Sequence, residues 1–159
     1  MSWTDELIGI PYRERGRAET LSQAHSLGVD CLGCTMLARL VRTGERMPEA
    51  GIDITANLRA AVLRARDLMG DPVWQFRKVG EHVPEEMDIV VMLRTIEHGD
   101  RRQPLHVGTW LADGRILHTQ APAHDGQDMG SCLIDSRHPK VAARIAGFAR
   151  WSPTVGSPT

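Results

Sequence analysis

Near Pro84 the apolar pattern changes period, and that change restricts the chain to few architectures. Before it, Leu32, Met36, Leu37, Leu40 and Val41 recur at helical spacing and mark a helix over 31–41, with Gly44 as its stop signal. Leu58, Val62, Ala65, Leu68 and Met69 mark a second helix over 55–69, ended by Gly70-Asp71-Pro72. After Pro84 come short β-rich runs at 88–94, 105–111, 115–119, 131–135 and 143–150, separated by turn residues. Ala112-Asp113-Gly114 between two of these is a hairpin cue, because Asp-Gly supplies the positive φ angles a tight turn needs. Helices at one end of a chain and strands at the other imply an α+β fold, here N-terminal helices packed on a C-terminal antiparallel β-sheet.

At 159 residues, 42% of them apolar, the chain has enough material for one substantial core, so the expectation is a single domain over 1–151. Residues 152–159, rich in Pro, Gly and Ser, are expected to be a flexible tail. Nineteen basic against twenty acidic residues leave a formal charge of −1, which offers no general attraction to nucleic acid or anionic lipid. No run approaches the roughly 20 apolar residues of a membrane span. The start MSWTDELIGIPY lacks the basic residues and apolar run of a signal peptide, so synthesis in the cytoplasm is expected. Three cysteines are too few for a disulfide framework, and an odd number leaves at least one thiol for other chemistry.

Val29-Asp30-Cys31-Leu32-Gly33 puts one of those thiols where a loop becomes a helix. Exposed N–H groups and the helix dipole at such a point favour a thiolate, the form that acts as nucleophile. A cysteine nucleophile needs a base, and the base needs a third group that orients it. His106 opens the strand His-Val-Gly-Thr-Trp-Leu, and His118 lies twelve residues on, across the hairpin. Counted around a two-residue turn at Asp113-Gly114, Ala112 pairs with Arg115 and His118 faces Thr109. Contact between the two imidazoles then requires a stagger or a bulge. His25, His82, His98, His124 and His138 stand in polar, turn-like contexts and read as solvated surface residues. Cys31 and Cys34 also form a Cys-x-x-Cys pair, the spacing of zinc knuckles and disulfide oxidoreductases. The chain has no second paired-cysteine cluster and no strand-like run before Cys31, so Cys34 and Cys132 read as packing residues and no metal is expected.

Gly9-Ile10-Pro11-Tyr12, Gly28-Val29-Asp30-Cys31-Leu32-Gly33, Asp88-Ile89-Val90, His106-Val107-Gly108 and Leu117-His118 occur in the order found in NlpC-type, papain-like cysteine peptidases, and the chain resembles that family from about Ile8 to Trp151. The closing stretch, from Ser131-Cys132-Leu133-Ile134-Asp135 to Ile145-Ala146-Gly147-Phe148, is similar to versions carried by phages and prophages as tail-assembly proteins. The resemblance implies a papain-like fold with Cys31 as nucleophile, His106 as general base and His118 as the residue that orients it. It places Tyr12 and Asp30 beside substrate or oxyanion, although a packing role for Tyr12 weighs equally. It implies amide hydrolysis in peptidoglycan stem peptides after γ-linked D-glutamate, with no cofactor, and a protein that reaches the wall in a tail particle with tail proteins as partners. Three departures stand out: a longer, more polar segment from Tyr12 to Cys31, a cysteine at position 34, and a 75-residue interval from Cys31 to His106. The rival readings are a tail-assembly or structural factor with little or no hydrolysis, and a zinc or redox protein built on Cys31 and Cys34.

Overall fold

The computed structural model describes residues 2–48, 74–93, 105–120 and 130–152. The helix expected over 55–69 and the 152–159 tail beyond Ser152 lie outside them. Among the described residues, three α-helices, α1 (Leu21–Leu27), α2 (Cys31–Thr43) and α3 (Pro139–Ala142), accompany six strands: β1 (Trp74–Lys78), β2 (Ile89–Leu93), β3 (Leu105–Trp110), β4 (Arg115–Gln120), β5 (Gly130–Asp135) and β6 (Ile145–Trp151). The strands form one sheet in the order β1-β6-β2-β3-β4-β5, with every neighbouring pair antiparallel. This is the expected α+β arrangement.

α2 starts and stops as its sequence dictates. The Asp30 side chain accepts from the Gly33 N–H at 2.8 Å, satisfying one of the orphan donors of the first turn. At the other end Gly44 adopts φ +74°, a left-handed cap that non-glycine residues enter only with strain, and its N–H reaches Leu40 O at 2.9 Å. Two sides of α2 are buried. Leu32 and Met36 pack with Ile89 and Val107, while Cys34, Leu37 and Ala38 pack with Leu111 and Leu117 and with the N-terminal residues Leu7 and Ile10. Burial of each such side chain contributes roughly 1.5–3 kcal/mol. Alternate residues of the same strands, Val90, Met92 and Ile116, join Phe148 in a further buried cluster. A sheet covered on both faces explains why β2 reads Ile-Val-Val-Met-Leu rather than alternating with polar residues.

Three elements were not legible in the pattern. β1 lies before Pro84, in the half read as helical; it is an edge strand of five residues that pairs only with β6. α1 falls in the long polar segment between Tyr12 and Cys31, and only Ala24 of its seven residues is buried, so no apolar face advertises it. α3 is a single turn with no buried residue, and it pushes the start of β6 from 143 to Ile145. At the opposite edge of the sheet, the segment before Tyr12 is stitched to β5: Gly9 N–H donates to Ser131 O, Ser131 N–H to Ile10 O, and Ile10 N–H to Ser131 Oγ, all at 2.8–2.9 Å. That pairing shields part of an edge strand. No helix among the described residues is long and apolar enough to cross a membrane.

Candidate active site

Cys31 is the first residue of α2, and only 2% of its surface is exposed. The loop that delivers it is clamped by the segment 11–17. Arg13 N–H donates to Val29 O at 3.0 Å, Val29 N–H to Pro11 O at 2.9 Å, and Arg17 forms an ion pair with the buried Asp30. Glycines make the clamp possible. A Cβ at Gly16 would lie 2.6 Å from Gly28 O and 2.7 Å from the Val29 Cα, and one at Gly33 would collide with the Gly16 carbonyl. Thus residues 11–17 hold the cysteine loop, while most of the polar segment 13–27 is exposed to solvent. Tyr12 contributes through a parallel bridge to Val29, two residues before Cys31, and is half-buried. Asp30 caps α2 and forms an ion pair with Arg17, both through Oδ1.

The histidines are brought together by a loop of a different length from the one expected. Thr109 pairs with Leu117 and Trp110 with Ile116, and Leu111 N–H donates to Arg115 O at 2.9 Å. The turn therefore contains three residues, 112–114. Gly114 adopts φ +81° and its N–H donates to Leu111 O, the arrangement of a type I turn closed by a glycine bulge. Relative to the two-residue count, the register moves by one, and a one-residue shift transfers every side chain to the other face. His118 thus stands opposite Gly108 rather than Thr109, on the same face as His106 two residues along β3. His106 Nε2 lies 2.7 Å from His118 Nδ1, with the rings edge to face at 81°. Both residues are buried, at 2% and 1% exposure. Gly108 allows this approach, since a Cβ there would lie 3.2 Å from the His118 Cβ and 2.6 Å from Ile116 Cγ2.

The strands that carry the pair are those against which α2 packs. Nε2 of His106 faces His118, so any proton that His106 exchanges with a group other than His118 passes through Nδ1. Cys34 belongs to a different cluster from Cys31, is fully buried, and its thiol is pushed far up by burial and then by the neighbouring Cys31, Cys132 and Asp30. It is a core residue. All three cysteines are free thiols, and among the described residues no three His, Cys, Asp or Glu side chains gather as a metal site.

Two readings of individual residues change. Cys132, read as packing, places Sγ 3.4 Å from His118 Nε2, which no sequence signal indicated beyond its position on a strand. His82, read as a solvated surface residue, is half-buried beside Asp88 and Arg150: Arg150 donates through Nη2 to His82 Nε2 at 2.8 Å, and through Nε and Nη2 to Asp88 at 2.7 and 2.9 Å. Burial raises the Asp88 carboxyl, but hydrogen bonds from Arg150 and the Glu85 N–H outweigh it and hold Asp88 below the usual carboxylate range. This cluster anchors the start of β2 to β6. His25 is exposed and bonds Glu6 O, and His138 caps α3 through Lys140 N–H; His98 and His124 lie outside the described residues.

No protein-family model and no curated protein sequence matches the chain. Solved structures do. A lipoprotein-like protein of the NLP/P60 family from Staphylococcus aureus superposes with a TM-score of 0.52 at 16% identity over 94% of this chain. An NlpC/P60 family protein from Bacillus cereus gives 0.50 at 19% identity, also over 94%. The NlpC/p60 domain of the peptidoglycan hydrolase SagA gives 0.48 at 18% identity, covering 92% of this chain and 91% of that one. The chain spans about 40% of the length of the first two proteins. With its six-stranded antiparallel sheet and the helix that begins at Cys31, the chain has the α+β fold of the NLP/P60 structures.

Proposed function

We propose that the chain is a cysteine hydrolase that cleaves amide bonds in peptidoglycan stem peptides, after γ-linked D-glutamate, with Cys31 as nucleophile, His106 as general base and His118 as the residue that orients His106. The observation that carries this reading is the buried His106–His118 contact of 2.7 Å on the two strands against which the Cys31 helix packs. A structural histidine pair has no need of a cysteine at an adjoining helix start, whereas an activated thiol needs all three. The ordered sequence motifs and the shared fold support the substrate class.

In the reaction His106 Nδ1 takes the Cys31 proton and the thiolate attacks the amide carbonyl. N–H groups at the start of α2 meet the developing oxyanion, with the Tyr12 hydroxyl as an added donor. The imidazolium returns its proton to the departing amine, leaving a thioester on Cys31. Water, deprotonated by His106, attacks that thioester and releases the acid and the thiol. The sequence likeness to tail-borne versions supports a phage or prophage tail particle as the vehicle that brings the enzyme to the wall.

The test is mass spectrometry of purified cell wall after incubation with the protein. Fragments ending in D-glutamate, abolished in Cys31→Ala and retained in Cys34→Ala, are expected. Intact wall with wild-type protein, or equal loss in the two variants, refutes the reading; the second outcome favours the paired-cysteine alternative.

A further inference from the structure

The polar chain that begins at His106 does not end at His118. Cys132 is the direct cross-strand partner of His118 on β5, and its Sγ lies 3.4 Å from His118 Nε2. The three side chains thus form a continuous series: His106 Nε2, His118 Nδ1, His118 Nε2, Cys132 Sγ.

A neutral imidazole carries one N–H, so the 2.7 Å contact has two arrangements. In one, His106 donates from Nε2 to His118 Nδ1, and the His118 proton sits on Nε2, facing Cys132. In the other, His118 donates from Nδ1, the His106 proton moves to Nδ1, and His106 loses the lone pair it needs to accept a proton from a thiol. Which arrangement holds depends on what lies beyond His118 Nε2. A thiol accepts weakly and donates weakly, and an imidazole N–H is the better donor of the two groups. The first arrangement places that better donor against the sulfur; the second relies on the S–H. Half-burial pushes the Cys132 thiol up, so the sulfur stays neutral and does not compete for the proton on the imidazole.

We infer that Cys132 is a positioning residue: its sulfur accepts from His118 Nε2–H, which keeps His118 Nδ1 as the acceptor for His106 Nε2–H and leaves His106 Nδ1 basic. The inference rests on the hydrolase reading for its consequence and on the two contacts for its geometry. Cys132 touches neither substrate nor the reacting atoms. Its role is to select a tautomer one residue removed, as the partners of metal-bound histidines do.

Imidazole nitrogen–proton correlation spectra of the full chain test the tautomer directly. In wild-type protein the His118 proton is expected on Nε2, and Cys132→Ala is expected to shift a measurable share of it to Nδ1. A second readout follows iodoacetamide alkylation of Cys31 against pH, quantified on its peptide. Cys132→Ala is expected to move the inflection upward and slow alkylation about tenfold at pH 7, with KM for wall fragments unchanged. Cys132→Ser, whose hydroxyl also accepts, is expected to restore the rate to within about threefold. A wild-type His118 proton on Nδ1 overturns the inference without any variant having to fold, and so does a Cys132→Ala protein whose tautomer and pH profile match wild type. Failure of the hydrolase reading looks different: His106→Ala would leave the Cys31 alkylation profile unchanged whatever the His118 tautomer.

Discussion

Gly108→Ala should destabilise the protein and separate the histidine pair, although alanine suits a strand better than glycine. The backbone at Gly108 is not in the left-handed region, so conformation alone permits the substitution. Reduced freedom of the unfolded chain would by itself add about 0.4–1 kcal/mol of stability. Packing reverses that sign. The added methyl would lie 2.6 Å from Ile116 Cγ2, 2.9 Å from Leu117 O and 3.2 Å from His118 Cβ, where carbon contacts normally settle at about 3.5–4.0 Å. None of the three can yield cheaply. Ile116 is β-branched and fully buried, the Leu117 oxygen is backbone, and His118 is fixed by its bonds on both sides. Relief requires β3 and β4 to part by several tenths of an ångström, at an overpacking cost of about 1–3 kcal/mol. For a chain of this size that lowers Tm by roughly 3–10 °C. The same movement stretches the 2.7 Å contact toward the long, weak end of the hydrogen-bond range, so wall hydrolysis should fall by more than the loss of folded protein explains. Thermal unfolding followed by circular dichroism, alongside the imidazole spectra, measures both effects. Gly44→Ala is the control: nothing lies within 4 Å of its added methyl, and its φ of +74° costs about 1–2 kcal/mol through strain alone, away from the histidines. A Gly108→Ala protein at least as stable as wild type, with the His106–His118 signals unmoved, would refute the packing argument.

Three further outcomes follow from the same geometry. Native protein treated with iodoacetamide at pH 8 should be modified at Cys31 and not at Cys34, which is fully buried with its thiol pushed up, and urea should open Cys34 to the reagent; peptide mapping reads this directly. Asp30→Asn keeps a side-chain oxygen for the Gly33 N–H and should retain the cap, whereas Asp30→Ala loses it at about 1 kcal/mol, seen as a lower urea midpoint for Ala than for Asn. Asp88→Asn breaks charged hydrogen bonds from Arg150 and should cost about 1–3 kcal/mol at pH 7. Because the folded Asp88 carboxyl titrates below its ordinary value, its stabilisation is present above about pH 4 and is lost as pH falls through the depressed folded value. Wild type and variant should converge in urea melts near pH 2, and a constant gap between them across that window would count against the Asp88–Arg150 assignment.

The legibility of the chain was uneven, and the reason lies in which physical signals are local. α2 was readable because its apolar positions and its glycine stop all sit within fourteen residues, 31–44. β2 to β6 were readable as apolar runs to within two residues at each end. β1 and α1 were not, because their partners are distant: β1 exists through β6, and the segment leading into α1 through Gly28, Val29 and Gly33. His106 and His118 could be singled out by residue type, yet their contact turned on whether the hairpin loop holds two residues or three. Asp113-Gly114 suits either. In a two-residue turn both residues adopt positive φ, whereas in the observed loop only Gly114 does. Local chemistry favours the two forms nearly equally, so the choice falls to burial: the three-residue form alone puts His106, Gly108 and His118 on one face while Leu111 and Leu117 remain in the core against α2. The same register sets His118 against Cys132. A single loop residue therefore assembles the buried polar series on the strands under the Cys31 helix, and an engineered two-residue turn at 112–114 should break that series even where the sheet still folds.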